Sequence, residues 1–149
     1  MSGPRPPFEP TAVDLRDYVE FNLGGASTRR VFLTDVVAVD LVCLEPGQAV
    51  DARCFETADV VYTVVGGTAW VVTDDAEVTL RPLQALMVPA GVAHGLRNDS
   101  ADPLIVQVVV SPPEEAAAAV HGPITTPSGK AGAGQGPGLL DRLRRTLGG

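Results

Sequence analysis

Aromatic side chains make up only 5% of this 149-residue chain, with a single Trp. A core must then be built largely from Val, Leu and Ala, which suits small, closely packed strands. Long apolar runs are missing too. None approaches the roughly 18–20 residues that span a bilayer. The opening Met1-Ser2-Gly3-Pro4-Arg5-Pro6-Pro7 lacks the apolar core of a signal peptide. A cytoplasmic location is the default expectation, with Cys43 and Cys54, the only two cysteines, reduced. Nothing in their spacing demands a disulfide. Positive charge is also short: the net charge is −7. Residues 122–149 carry four cations and one carboxylate, so residues 1–121 carry −10. So acidic a body excludes a nucleic-acid-binding barrel, whose footprint is basic.

What is present is β-branched residues and turn formers. The length gives one domain with enough chain to bury a core. Residues 1–10 are Pro-rich and are expected to form a mobile arm, with the domain running over 11–121. Thr11 with Asp14 resembles a capping box, and Val13, Tyr18 and Phe21 line one side of a short helix over Ala12–Glu20. Strand patterns then follow at 30–34, 36–44, 49–55, 60–65, 68–73, 77–81, 85–88, 93–97 and 104–110. Glu45-Pro46-Gly47, Gly66-Gly67, Asp74-Asp75, Pro89-Ala90-Gly91 and Asn98-Asp99-Ser100 separate them. Strands of this length and spacing predict an all-β fold, a small antiparallel β-barrel or jelly roll with short flanking helices. No helical pattern interrupts 30–110, which excludes βαβ units.

Past the strands, Ser111 as N-cap, Pro112 at the first position and Glu114 as capping partner predict a helix running through the alanines to Val120. Gly122–Gly138 is a Gly/Pro linker with nothing to pack, expected to be flexible. Residues 139–149 read as a short amphipathic helix. The leucines of 139–147 form a stripe opposite Arg142, Arg144 and Arg145. It is too short to be stable alone in water and should fold only against something.

The stretch 83–98 carries the most specific spacing. Pro89, Gly91, His94 and Asn98 fall in the order Pro-x-Gly-x-x-His-x-x-x-Asn, with Leu83 where an opening glycine would stand. Pro89 presets φ for the first turn position, and Gly91 supplies a positive φ. This spacing resembles the second signature motif of the cupin superfamily. Upstream, Gly47, Asp59 and Gly66 resemble the frame of the first motif, and the likeness covers about residues 30–111. The resemblance implies a barrel whose histidines ligate a metal, and a homodimer.

The ligands depart from that pattern. Counted back from Asp59, the two histidine positions fall on Ala52 and Cys54; counted forward from Gly47, they fall on Arg53 and Phe55. Asp59 stands for the glutamate, one methylene shorter, and His121 lies beyond the barrel near a helix terminus. A three-His, one-Glu site cannot form. What remains is Cys54, Asp59 and His94, a set suited to zinc or ferrous iron with open positions. Against it, a free Cys usually behaves as a small buried hydrophobe. Strand alternation puts Asp59, Val61, Thr63 and Val65 on one face, the candidate pocket lining. Arg53 would bind an anionic ligand if it points inward and form a surface ion pair otherwise. Tyr62 and Trp70 are core anchors or ligand-stacking faces. There is no nucleophile elbow, phosphate-binding loop or zinc-protease helix.

The favoured expectation is therefore a cupin-like protein binding a small molecule through His94, Asp59, Thr63 and Arg53, with little or no metal-dependent catalysis. The alternative is a metal-dependent isomerase or oxygenase using Cys54, Asp59 and His94. Residues 139–147 would act as an encapsulation peptide for a protein shell, lie on an anionic membrane surface, or dock on the barrel or a second subunit.

Overall fold

The computed structural model describes Gly3 and residues 5–114. Among these residues nine strands form two antiparallel sheets: β1 (Ser27–Leu33), β2 (Ala38–Leu44), β3 (Ala49–Arg53), β4 (Asp59–Gly66), β5 (Ala69–Thr73), β6 (Glu77–Leu80), β7 (Ala85–Val88), β8 (His94–Arg97) and β9 (Leu104–Ser111). The five-stranded sheet has the order β1-β2-β9-β4-β7 and the four-stranded sheet β3-β8-β5-β6. Consecutive strands repeatedly cross between sheets, and this is the expected jelly-roll arrangement. All nine expected strands are present, with ends shifted by a few residues.

Alternation decides which side chains enter the core. Along β9, Leu104, Val106, Val108 and Val110 are buried, while the residues between them are half-exposed. Their partners Val64, Tyr62 and Val60 on β4 face the same way, as do Val42 and Leu44 on β2. Val71, Leu80 and Leu96 close the core from the other sheet. Burying a side chain of this size is worth roughly 1.5–3 kcal/mol each. The opposite face of the five-stranded sheet carries its own apolar row, Phe32, Val39, Val109, Val61 and Met87 in register across all five strands. Thr63 lies in the adjacent row, between Gln107 and Ala85.

Two turns hold unusual backbone. Gly67 has φ +87°, and a Cβ there would meet Pro103 O and lie 2.9 Å from Leu104 Cα. At Arg81-Pro82-Leu83-Gln84 the Gln84 amide donates to Arg81 O, 2.9 Å. Proline sits at the second position of that turn, and the third takes φ +70° although it is Leu83. A type II turn wants glycine there. This is the position where the sequence motif lacks its glycine.

Three local expectations need correction. The helix over Ala12–Glu20 is one 3₁₀ turn, Leu15–Tyr18, with Asp14 rather than Thr11 at its N-cap. The Asp14 carboxylate accepts from Arg16 N at 2.9 Å, and no residue of the turn is buried. Without a buried face, nothing extends the helix. Ser111 does not cap a helix. It ends β9, and its hydroxyl donates to Val36 O at 2.7 Å. Glu114 likewise turns away from Ser111 and accepts from Thr57 N, Thr57 Oγ1 and Glu56 N. The rest of that helix, His121, the linker at 122–138 and the amphipathic segment 139–149 lie outside the described residues. Among those described, no helix is long and apolar enough to cross a membrane.

Candidate functional site

The turn Pro89-Ala90-Gly91 works as its residues suggest. Gly91 takes φ +89°, and Val92 N donates back to Pro89 O at 3.3 Å. Gly91 N also donates to Phe55 O at 2.7 Å, tying this turn to the end of β3. The chain then enters β8 with His94 facing inward, 1% exposed. Asn98 ends the strand fully buried. Its amide donates to Leu44 O (3.2 Å) and Asp102 O (2.7 Å), and its Oδ1 accepts from Ser100. The motif asparagine thus fastens a loop.

The protonation of His94 follows from its neighbours. Nδ1 lies 3.0 Å from Val92 O, a group that only accepts, so the proton resides on Nδ1. Nε2 is then an acceptor, and the Tyr62 hydroxyl, 2.5 Å away, donates to it. Arg53 Nη2 completes the chain by donating to Tyr62 Oη at 3.2 Å. Burial, opposed in part by the Val92 carbonyl and reinforced by the Arg53 charge, lowers the His94 pKa to about 4. Burial also raises that of Tyr62. The imidazole is neutral, with both nitrogens engaged.

Strand pairing settles which frame of the first motif faces His94. Arg53 is the cross-strand partner of His94, and the Phe55 ring stacks on the imidazole with centroids 6.3 Å apart. The forward count from Gly47 therefore gives the spatial neighbours. A guanidinium and a phenyl ring occupy the places of the two histidines. Arg53 lies over the Phe55 ring, 5.3 Å from its centroid. Its Nε is buried with no hydrogen-bond partner, and among the described residues no carboxylate pairs with it.

The other sequence candidates are not gathered here. Asp59 is exposed, and its carboxylate accepts from Ala90 N at 3.0 Å. Thr63 shares the outer face with Asp59, as alternation required, but that face points away from the core. Cys54 is half-buried, its Sγ 3.9 Å from Phe55 O. Burial and the nearby Glu56 and Glu114 charges raise its pKa, which favours the neutral thiol. Cys43 is buried and free.

These residues do not fit the zinc or ferrous ion that the family pattern implies. Among the described residues no three His, Cys, Asp or Glu side chains converge on one point. The side chain that hydrogen-bonds the Tyr62–His94 pair is itself a cation, Arg53, which would repel a metal ion.

In front of Arg53 lies a cavity of about 360 Å³. Arg53 and Phe55 form one wall. The inner faces of β1, β2 and β9 form the other through Leu33, Ala38, Val108, Val110 and the Arg30–Asp40 ion pair (2.8 Å). Pro113 and Glu114 border it. His94 does not line it. The imidazole supports the wall through Tyr62 and Phe55. The sequence does not single out Arg30, marks Phe55 only as a motif position, and leaves Tyr62 as a core anchor or a ligand-stacking face. The available signal was Tyr62 as the one hydroxyl in the row Val60, Tyr62, Val64.

Comparison with known proteins agrees with this fold. Residues 40–111 match the family model of the cupin domain. TT1209 from Thermus thermophilus is 35% identical with TM-score 0.65, over 68% of this chain and 96% of that one. A cupin superfamily protein from Desulfitobacterium hafniense is 20% identical with TM-score 0.60, over 69% and 92%. An RmlC-like cupin protein from Desulfovibrio desulfuricans is 19% identical with TM-score 0.64, over 71% and 100%. None of the curated proteins matches the chain. This chain belongs to the cupin superfamily.

Proposed function

We propose that this cupin is a small-molecule-binding protein whose cavity works without metal-dependent catalysis. One observation carries the reading. The place beside His94 holds the Arg53 guanidinium, hydrogen-bonded to the tyrosine that occupies the imidazole lone pair. Among the described residues, an interior arranged this way offers no free donor set for a metal but keeps an open space in front, lined by both charged and apolar side chains. The Arg30–Asp40 pair and the Glu114 carboxylate give the rim its polarity.

The test uses the full chain. Ligand-observed NMR against a library of small apolar fragments should detect binding to the wild type. Leu33→Trp, which fills the cavity from its exposed rim, should abolish it. A wild type that binds nothing, or a filled variant that binds equally well, refutes the reading. Elemental analysis provides the second arm. Stoichiometric metal that is lost in His94→Ala would refute the metal-free reading and favour a metal-dependent isomerase or oxygenase.

A further inference from the structure

We infer that the ligand of this cavity is a small carboxylate with an apolar body, held by Arg53; the inference rests on the cavity being the binding site. A guanidinium has five N–H donors and fits a carboxylate through two parallel bonds. In Arg53 one donor, at Nη2, goes to Tyr62 Oη, and Nε is buried without an acceptor. Leaving such a donor unmet disfavours the empty state.

Among the described residues lining the cavity are two cations, Arg30 and Arg53, and two carboxylates, Asp40 and Glu114, with Arg30 and Asp40 ion-paired to each other. Arg30 is neutralised by Asp40, with bonds of 2.8 and 3.4 Å. The Glu114 carboxylate is met by Thr57 N, Thr57 Oγ1 and Glu56 N at 2.7–2.9 Å. Among the described residues that line the cavity, Arg53 is the cation without a carboxylate. In an otherwise acidic body, net −7 over the whole chain, a built-in cation on the wall of this pocket is a selective feature.

The position of the cation is fixed by its supports. The Phe55 ring carries the guanidinium on its face, and Tyr62, anchored by His94, holds Nη2. A pre-placed fork loses little side-chain entropy when a ligand arrives. Val108, Val110, Ala38 and Leu33 then offer apolar surface to the rest of the molecule. An ammonium ligand would meet the same field with the wrong sign. A neutral amide offers one carbonyl oxygen and no charge to pair with the guanidinium.

The experiment compares isosteres at neutral pH: benzoate and hexanoate against benzamide and hexanamide, by isothermal titration calorimetry on the full-length protein. Wild type should bind the carboxylates at least about tenfold more tightly than the amides, as a charge-assisted pair formed away from water requires. Arg53→Gln should remove that preference, and Arg53→Lys should recover only part of it. Equal affinity for acids and amides overturns the carboxylate assignment and leaves the cavity reading intact. Binding of neither series overturns both. The isostere ratio on the unaltered protein needs no variant, so instability of Arg53→Gln cannot mask the outcome. Carboxylate preference that survives both Arg53→Gln and Arg53→Lys also overturns the assignment.

Discussion

Lowering the pH from 7 to 5 should destabilise this protein chiefly through one residue. In the folded state the His94 pKa is about 4, held down first by burial and then by the Arg53 charge. In the unfolded chain it returns to about 6.5. Between those values the unfolded chain binds a proton that the native state refuses, so acidification favours unfolding. The stabilisation is fully present above about pH 6.5 and is lost as pH falls toward about 4. Linkage over this window gives a loss of about 2 kcal/mol between about pH 7 and pH 5, and about 3 kcal/mol by about pH 4. Asp14 and Glu114, whose pKa values lie below the ordinary carboxylate range, act in the same direction but only at lower pH. Urea unfolding followed by tryptophan fluorescence at pH 7, 6 and 5 measures the slope. His94→Gln keeps an acceptor for Tyr62 but does not titrate, so its stability should be nearly flat over that range. A wild-type midpoint that does not move, or the same slope in His94→Gln, refutes the assignment of a buried neutral imidazole.

Leu83→Gly should stabilise the fold by about 1 kcal/mol, since relief of the left-handed strain exceeds the added backbone entropy. Leu83 is 87% exposed, so no packing is lost, and thermal denaturation would show the gain. Gly67→Ala should destabilise by at least about 3 kcal/mol, because positive φ is combined with a backbone clash against Pro103 and Leu104. A soluble variant with an unchanged melting temperature would contradict the observed turn. Asn98→Ala should cost about 2–4 kcal/mol in urea, because Leu44 O and Asp102 O lose their donor and Ser100 loses its acceptor.

Much of the fold was legible because strands announce themselves locally. β-branched runs between Gly, Pro, Asn and Asp turns fix nine strands, and Pro89 with Gly91 fixes a turn whose φ values follow from residue type. That Leu83 stands where the motif has a glycine was also legible. Its strain was not, because residue type alone does not tell which conformation the turn imposes.

The site was less legible, and β4 shows why. Val60-Tyr62-Val64 is the more apolar of its two faces, yet the family resemblance, with Asp59 in the place of a ligating glutamate, put Asp59-Val61-Thr63-Val65 inside. The outer sheet face also carries its own apolar row, which blunted the contrast between the two. The irregular stretch 54–58 between β3 and β4 hid the parity that would have separated Ala52 and Cys54 from Arg53 and Phe55. Ser111 shows the same limit at a helix start. Its capping signal was genuine in residue type, but β9 used the residue for its last rung.

By itself, then, the sequence determined the strands, the turns that join them and the inward corner carrying His94. These depend on neighbours a few residues away. Only tertiary structure decided that Arg53 and Phe55 flank that histidine, that Asp59 and Thr63 face outward, and that Tyr62 links imidazole to guanidinium. Those relations arise from register between strands far apart in the chain, and register is set when the two sheets close on a common core.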